Sequence, residues 1–213
     1  LGSSIGFHKY DNHIENSLSN KHHHKFISLQ HKYLKKLLKQ NHNTNIDNIT
    51  LKWILDDNIN GDKYNFDLIP LTSFENEIID FTFLNETSYK YIDQKDLLNL
   101  ISRYKDFYKF IELCIEKMRE GLKKNITLPN IICRNLINNL EVFIKNKYYI
   151  IQVPENIKKS HNIDYMKYMK YMKRYEKLLN KLLHFLSKEY YGNCRETIGV
   201  CDLPNGKDMY KYL

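Results

Sequence analysis

Apolar residues recur along this chain at helical spacing, and the pattern divides it into segments. Over residues 22–40, Phe26, Leu29, Tyr33, Leu34, Leu37 and Leu38 fall on one side of a 3.6-residue period. A polar linker, 41–48, follows. Asp47 is placed to cap a second helix whose face carries Ile49, Trp53, Ile54 and Ile59. That helix is expected to fray at Asp57-Asn58 and Asn60-Gly61. Residues 62–92 lose the period around Pro70 and predict irregular chain with a short helix over 74–81.

The strongest pattern runs over 93–120. Leu97, Ile101, Tyr104, Tyr108, Ile111, Ile115 and Met118 form one stripe, with Gly121 as the expected C-cap. Thr127-Leu128-Pro129 opens another helix, with proline in the first turn where its missing N–H does no harm. Ile132, Leu136, Leu140 and Phe143 are its apolar face. A loop over 145–162 contains Pro154. The last long helix spans 163–190, with Tyr165, Tyr168, Met169, Met172, Tyr175, Leu179, Leu182, Leu183 and Leu186 inward. Its three-residue Tyr-Met-Lys repeat is read as a helix buried on more than one side. No alternating pattern of any length is heard, so the class is all-α. The organisation is one helical domain or partial domain: a leading loop and first helices (1–61), an irregular segment (62–92), long antiparallel helices (93–190) and a Gly/Pro loop (191–213).

Composition changes this picture little. The 213 residues suffice for a core without disulfides or a structural metal. Alanine is absent, while Lys, Asn, Ile and Tyr are heavily used, the imprint of an AT-biased genome. The net charge of +8 comes from dispersed lysines with no run of five basic residues, which disfavours nucleic acid as a partner. No apolar run reaches the length of a membrane span. No signal-peptide core is visible, but the chain begins at Leu1, so localisation stays open: a targeting segment could precede it, and the cytoplasm is favoured.

Candidate chemistry is sparse. Cys114 and Cys133 occupy apolar helix positions and read as buried thiols; Cys194 and Cys201 lack zinc-ligand spacing. His22, His23 and His24 point about 100° apart on a helix and cannot share one ion. His184, between Leu183 and Phe185, reads as a core histidine. The acid pairs Glu75/Glu77 and Asp56/Asp57 read as solvated. No HExxH, GxSxG, P-loop or GxGxxG occurs. No residue is assigned as catalytic or as a metal ligand.

Residues 194–213 are the most informative stretch. Gly199 and Gly206 are expected to relax the backbone, Pro204 to stiffen it, and Tyr210 to start the next element. Such a loop can line a cleft and offer backbone groups to an extended peptide, with Gly199, Leu203, Pro204, Gly206 and Tyr210 as candidate cleft residues. Arg195 and Glu196 are expected to form an ion pair that orders it, and Arg119 to favour a helix C-terminus.

Taken in order, these features resemble a known family. They are Leu1-Gly2 with Lys9-Tyr10-Asp11, then Arg119-Glu120-Gly121-Leu122-Lys123 with Asn125-Ile126-Thr127-Leu128-Pro129. Last come Arg195-Glu196-Thr197-Ile198-Gly199, Leu203-Pro204-Asn205-Gly206 and Tyr210-x-Tyr212. The set resembles the N-terminal half of the domain-of-unknown-function family number 885, whose members are mostly bacterial, all-helical and related to zincin-type metallopeptidases. The resemblance implies a larger zincin-like fold whose zinc ligands and general base lie in a C-terminal half absent from this sequence. This chain would then supply scaffold and one wall of a peptide-substrate cleft, be inactive alone, and expose an apolar face toward its own C-terminal half. The alternative is a self-contained helical module that binds a peptide or protein without cleaving it.

Overall fold

The computed structural model describes residues 8–39 and 45–213. The linker positions 40–44, and Leu1-Gly2 of the leading motif, lie outside the described residues. Eight α-helices order the rest: α1 (Asn20–Leu38), α2 (Ile46–Gly61), α3 (Glu77–Thr87), α4 (Gln94–Lys123), α5 (Asn130–Lys145), α6 (Glu155–Ser160), α7 (Asn162–His184) and α8 (Gly206–Tyr212). Short 3-10 turns at Asp62–Tyr64, Phe66–Leu68 and Val200–Asp202 join them, and α7 passes directly into a π-helical turn, Phe185–Tyr190. Among the described residues there is no strand, only an isolated parallel bridge between Pro129 and Arg195. The chain is therefore all-α.

The start of α4 is set by Asp93. Its carboxylate accepts from the Asp96 backbone N–H at 3.0 Å, and the Asp96 carboxylate accepts from the Asp93 N–H at 3.3 Å, a reciprocal capping box. The helix then runs 30 residues, about 45 Å. Its whole expected stripe is buried, from Leu97 to Met118. The partner is α7. Tyr104 lies tilted against Tyr168, Tyr108 stacks near Tyr171 and Tyr175, and Arg119 pairs with Glu189. Residue numbers rise together on both helices, so α4 and α7 run in the same direction. The antiparallel relation belongs to α5, which starts beside Tyr190 and Tyr191 and ends where Phe143 meets Tyr149.

Tyrosine dominates this core because its body packs like phenylalanine while its hydroxyl finds a backbone acceptor. Tyr104 donates to the Tyr149 carbonyl at 2.8 Å and Tyr168 to the Ile151 carbonyl at 3.1 Å. Phe81 and Phe107 stack on each other at 4.0 Å, with Tyr104 edge-on to Phe81. In the Tyr-Met-Lys repeat, Tyr168 and Met172 are buried, Tyr165, Met169 and Tyr171 half-buried, and the lysines exposed. The repeat thus covers a wide face and leaves a charged strip in water.

Several expectations change. The cap of α2 is Asn45, whose side chain accepts from the Asp47 N–H, and the helix holds through Gly61 without fraying. Ile49, Trp53 and Ile54 do not face inward: Trp53 is 67% exposed, and Leu55 is the buried side chain of its turn. α2 packs chiefly on α1, so a hairpin of two helices has only one seam to bury. The short helix expected at 74–81 forms later, as α3, capped by Asn76. Pro129 is itself the N-cap residue of α5 rather than a residue of its first turn. Within the 145–162 loop, α6 forms after Pro154.

Candidate functional site

One groove, of about 370 Å³, gathers much of what the C-terminal stretch was expected to supply. Four pieces of chain build it. The turns at 64–69 give Tyr64, Phe66 and Ile69; the following loop gives Phe74 and Glu75. The approach to α5 gives Ile126, Leu128 and Ile132, and the last segment gives Arg195, Val200, Leu203 and Met209.

Two glycines let these pieces meet. A β-carbon on Gly121 would stand 2.5 Å from the Ile126 carbonyl oxygen and 3.1 Å from that of Leu68. Gly121 is thus not a C-cap; it lies inside α4, which ends at Lys123 with Lys124 as its C-cap, and admits two chain segments against the helix. A β-carbon on Gly206 would fall 2.0 Å from the Val200 carbonyl oxygen, so only glycine allows α8 to sit on the Val200–Asp202 turn. Asn205 takes the left-handed conformation at φ 58°, a role asparagine tolerates. Gly199 has an ordinary extended backbone and needs no glycine for its torsions.

Arg195 forms one wall. Its Nε donates to the Thr127 carbonyl at 3.0 Å, and a terminal nitrogen donates to the Gly199 carbonyl. Partial burial works against its charge, and Asp202 partly offsets this. The expected Arg195–Glu196 ion pair is not found among the described residues; Glu196 is exposed, and backbone carbonyls order the loop instead. Arg119 likewise is more than a helix-end charge. It holds Glu189 in a bidentate pair at 2.9–3.1 Å and lies over the Phe185 ring.

Of the five candidate cleft residues, Leu203 lines the groove, and Gly206 shapes it from beneath. Gly199 and Pro204 are exposed beside it, and Tyr210 points outward at 65% exposure. The tyrosine that matters in that pair is Tyr212, which was not singled out. Its hydroxyl donates to the Asp57 carbonyl at 2.8 Å and its ring packs 5.0 Å from Tyr64. Tyr64 in turn donates to Asp208 at 2.9 Å, where Lys63 also pairs at 3.0 Å. These contacts tie α8 to the end of α2. A sequence signal existed in the i, i+2 tyrosines, but only the turn geometry decides which one packs.

A second, polar cavity of about 640 Å³ lies at the start of α4, with Arg103 in its wall. Arg103 is 1% exposed, inside the apolar stripe. Its Nε donates to Asn85 Oδ1 at 2.7 Å, another nitrogen donates to the Asp11 carbonyl, and the Tyr89 ring lies 3.7 Å from the guanidinium carbon. It fastens the leading segment and α3 onto α4. Sequence periodicity alone would place an arginine there outward.

The remaining chemistry is dispersed. His8 pairs with Asp11, His13 with Asp106, His22 with Glu15 and His23 with Asp62. Among the described residues no three His, Cys, Asp or Glu side chains converge on one point, so this donor set does not fit a metal centre. His184 is exposed rather than in the core. Glu77 is exposed, as the solvated reading expects, although desolvation and the neighbouring Asp80 hold its carboxyl above the usual range.

The fold and site together are an all-helical body carrying a mainly apolar groove with Arg195 in one wall. The family model described as "Bacterial protein of unknown function (DUF885)" matches residues 1–213, and the chain belongs to that family. No curated protein and no solved structure matches it. No helix among the described residues is long and apolar enough to cross a membrane.

Proposed function

We propose that this chain is the non-catalytic scaffold and one wall of a peptide-binding cleft in a zinc-dependent peptidase, and that the groove seats an apolar side chain of the peptide. The observation that carries the reading is the groove itself. Its volume lies at the low end of the range for ligand sites, room for one or two side chains. Its lining is mainly apolar, with Arg195 available to a peptide carbonyl or carboxylate at one wall. Zinc would be held by residues other than those present here, and no catalytic step is derived for this chain. The outward apolar side chains of α1 and α2, among them Phe26, Ile49 and Trp53, suit a surface that packs against further protein.

Fluorescence anisotropy with labelled peptides tests this. Peptides carrying Leu or Phe should bind, and their Ser-substituted counterparts should bind about tenfold or more weakly. Ile132→Asp, which puts a charge into the groove, should abolish the preference. Equal affinity for both peptide sets, or an unchanged preference in Ile132→Asp, would sink the reading.

The second reading, a self-contained binding module, is favoured by one observation: α3, α4, α5 and α7 share a continuous core. On that reading the chain is a stable monomer by sedimentation, and it binds peptide through the same groove without any cleaving partner. Aggregation cured by added downstream protein would select the peptidase scaffold.

A further inference from the structure

Behind the groove, two cysteines distant in sequence meet. Cys133 lies in the first turn of α5 and has no exposed surface. Cys194 follows the π-helical turn and is half-buried, with its sulfur 3.6 Å from the Tyr190 carbonyl oxygen. Both thiols pack in the same core, and each is the main polar influence on the other. The backbone fixes this meeting on both sides: Asn130 N–H donates to the Arg195 carbonyl at 2.8 Å, and Arg195 N–H donates to the Leu128 carbonyl at 3.2 Å. The π-helical turn contributes too. It carries Tyr190 inward, where its hydroxyl accepts from the Leu128 N–H at 3.0 Å, and so delivers the next residues against α5.

We propose that Cys133 and Cys194 are a reversible redox pair that closes to an intramolecular disulfide when the protein meets a hydroperoxide. Their proximity draws the pair's first proton off more easily: the Cys133 thiol is lowered by Cys194, and Cys194 is correspondingly raised. The helix N-terminus beside Cys133 also favours a thiolate. Transfer of the Cys194 proton to the Cys133 sulfur leaves the thiolate on the reachable sulfur, Cys194. That thiolate attacks the peroxide; the O–O bond breaks, Cys194 becomes a sulfenic acid, and the leaving hydroxide takes a proton to form water. Cys133 sulfur then attacks the sulfenic sulfur, the S–S bond forms, and the departing hydroxide takes the Cys133 proton as a second water. Two thiols and one hydroperoxide thus give one disulfide and two oxygen-bearing leaving products, with two electrons transferred. The other cysteines behave differently. Cys114 is sealed in the α4 stripe, where burial pushes its thiol well up, and Cys201 is exposed on the turn beneath α8. The crosslink would pin the Arg195 segment to the start of α5. The proposal does not depend on what the groove binds.

The test uses the whole chain with Cys201→Ser, which removes the exposed competing thiol. Native protein is treated with hydrogen peroxide, quenched with an alkylating agent and weighed intact. The expected result is a loss of about 2 Da with two alkylatable thiols gone, a non-reducing peptide map joining the Cys133 and Cys194 peptides, and full reversal by dithiothreitol. Melting temperature should rise by several degrees on oxidation, since the bond closes a long loop. Adding Cys194→Ser, at the half-buried position, should abolish the mass loss and the shift. Overoxidation of Cys194 with Cys133 still free, or unchanged thiols under peroxide, would overturn the proposal.

Discussion

The α4–α7 body and the α1–α2 hairpin both carry apolar residues at helical spacing, yet they end differently. In α4 every member of the stripe is buried, covered by α7 on one side and by the 66–68 and 185–190 turns and Phe81 of α3 elsewhere. In α2 the expected inward residues Ile49, Trp53 and Ile54 face out, and Leu55 alone among its large side chains is buried. The difference teaches that a helical period identifies a face but says nothing of how many neighbours will cover it. A helix with two partners buries a wide arc; a helix with one buries a seam, and surplus apolar side chains remain for something else.

The comparison can be broken most forcefully at Arg103. Arg103→Ala leaves Asn85 and the Asp11 carbonyl without their donor inside the body. The expected loss is on the order of 3 kcal/mol by urea unfolding. A loss below about 0.5 kcal/mol would mean Arg103 is incidental. Next in size is Gly206→Ala, where the new methyl meets backbone; about 2 kcal/mol is expected, against less than about 0.5 for Gly199→Ala. Equal effects at the two glycines would refute the account of the turn beneath α8.

The body should also respond to alkali. Burial pushes the Tyr104 and Tyr175 phenols well above the ordinary value of 10.0, and Tyr91 up to about 12. The native state therefore keeps protons that the unfolded chain gives up. That stabilisation is intact below about pH 10 and is lost as pH rises through the raised native values. A cooperative rise in phenolate absorbance should coincide with loss of helical circular dichroism. Phenolate appearing fully while helicity persists would contradict a sealed tyrosine core. The smallest effect is expected in the hairpin: Trp53→Ser should change stability by no more than about 0.5 kcal/mol.

How much of this was legible depends on range. Local signals gave the helical class, the α4 and α7 stripes and the buried thiols Cys114 and Cys133, because a 3.6 period and a cap are written within a few residues. Arg103 was not legible, because its acceptors come from α3 and from the leading segment. The Gly121 and Gly206 close approaches, the choice of Tyr212 over Tyr210, and the meeting of Cys133 with Cys194 share that cause. Each depends on where a distant backbone passes. The groove was half legible: Leu203 and Gly206 were singled out, but the turns at 64–69 that face them were read as irregular chain.

The central claim, that the groove rather than the exposed hairpin is where peptide binds, is tested most directly by hydrogen exchange with and without a Leu- or Phe-bearing peptide. The account predicts slowed exchange at 64–75, 126–132 and 195–209, with α1 and α2 unchanged. Protection confined to α1 and α2, or no protection at saturating peptide, would contradict it.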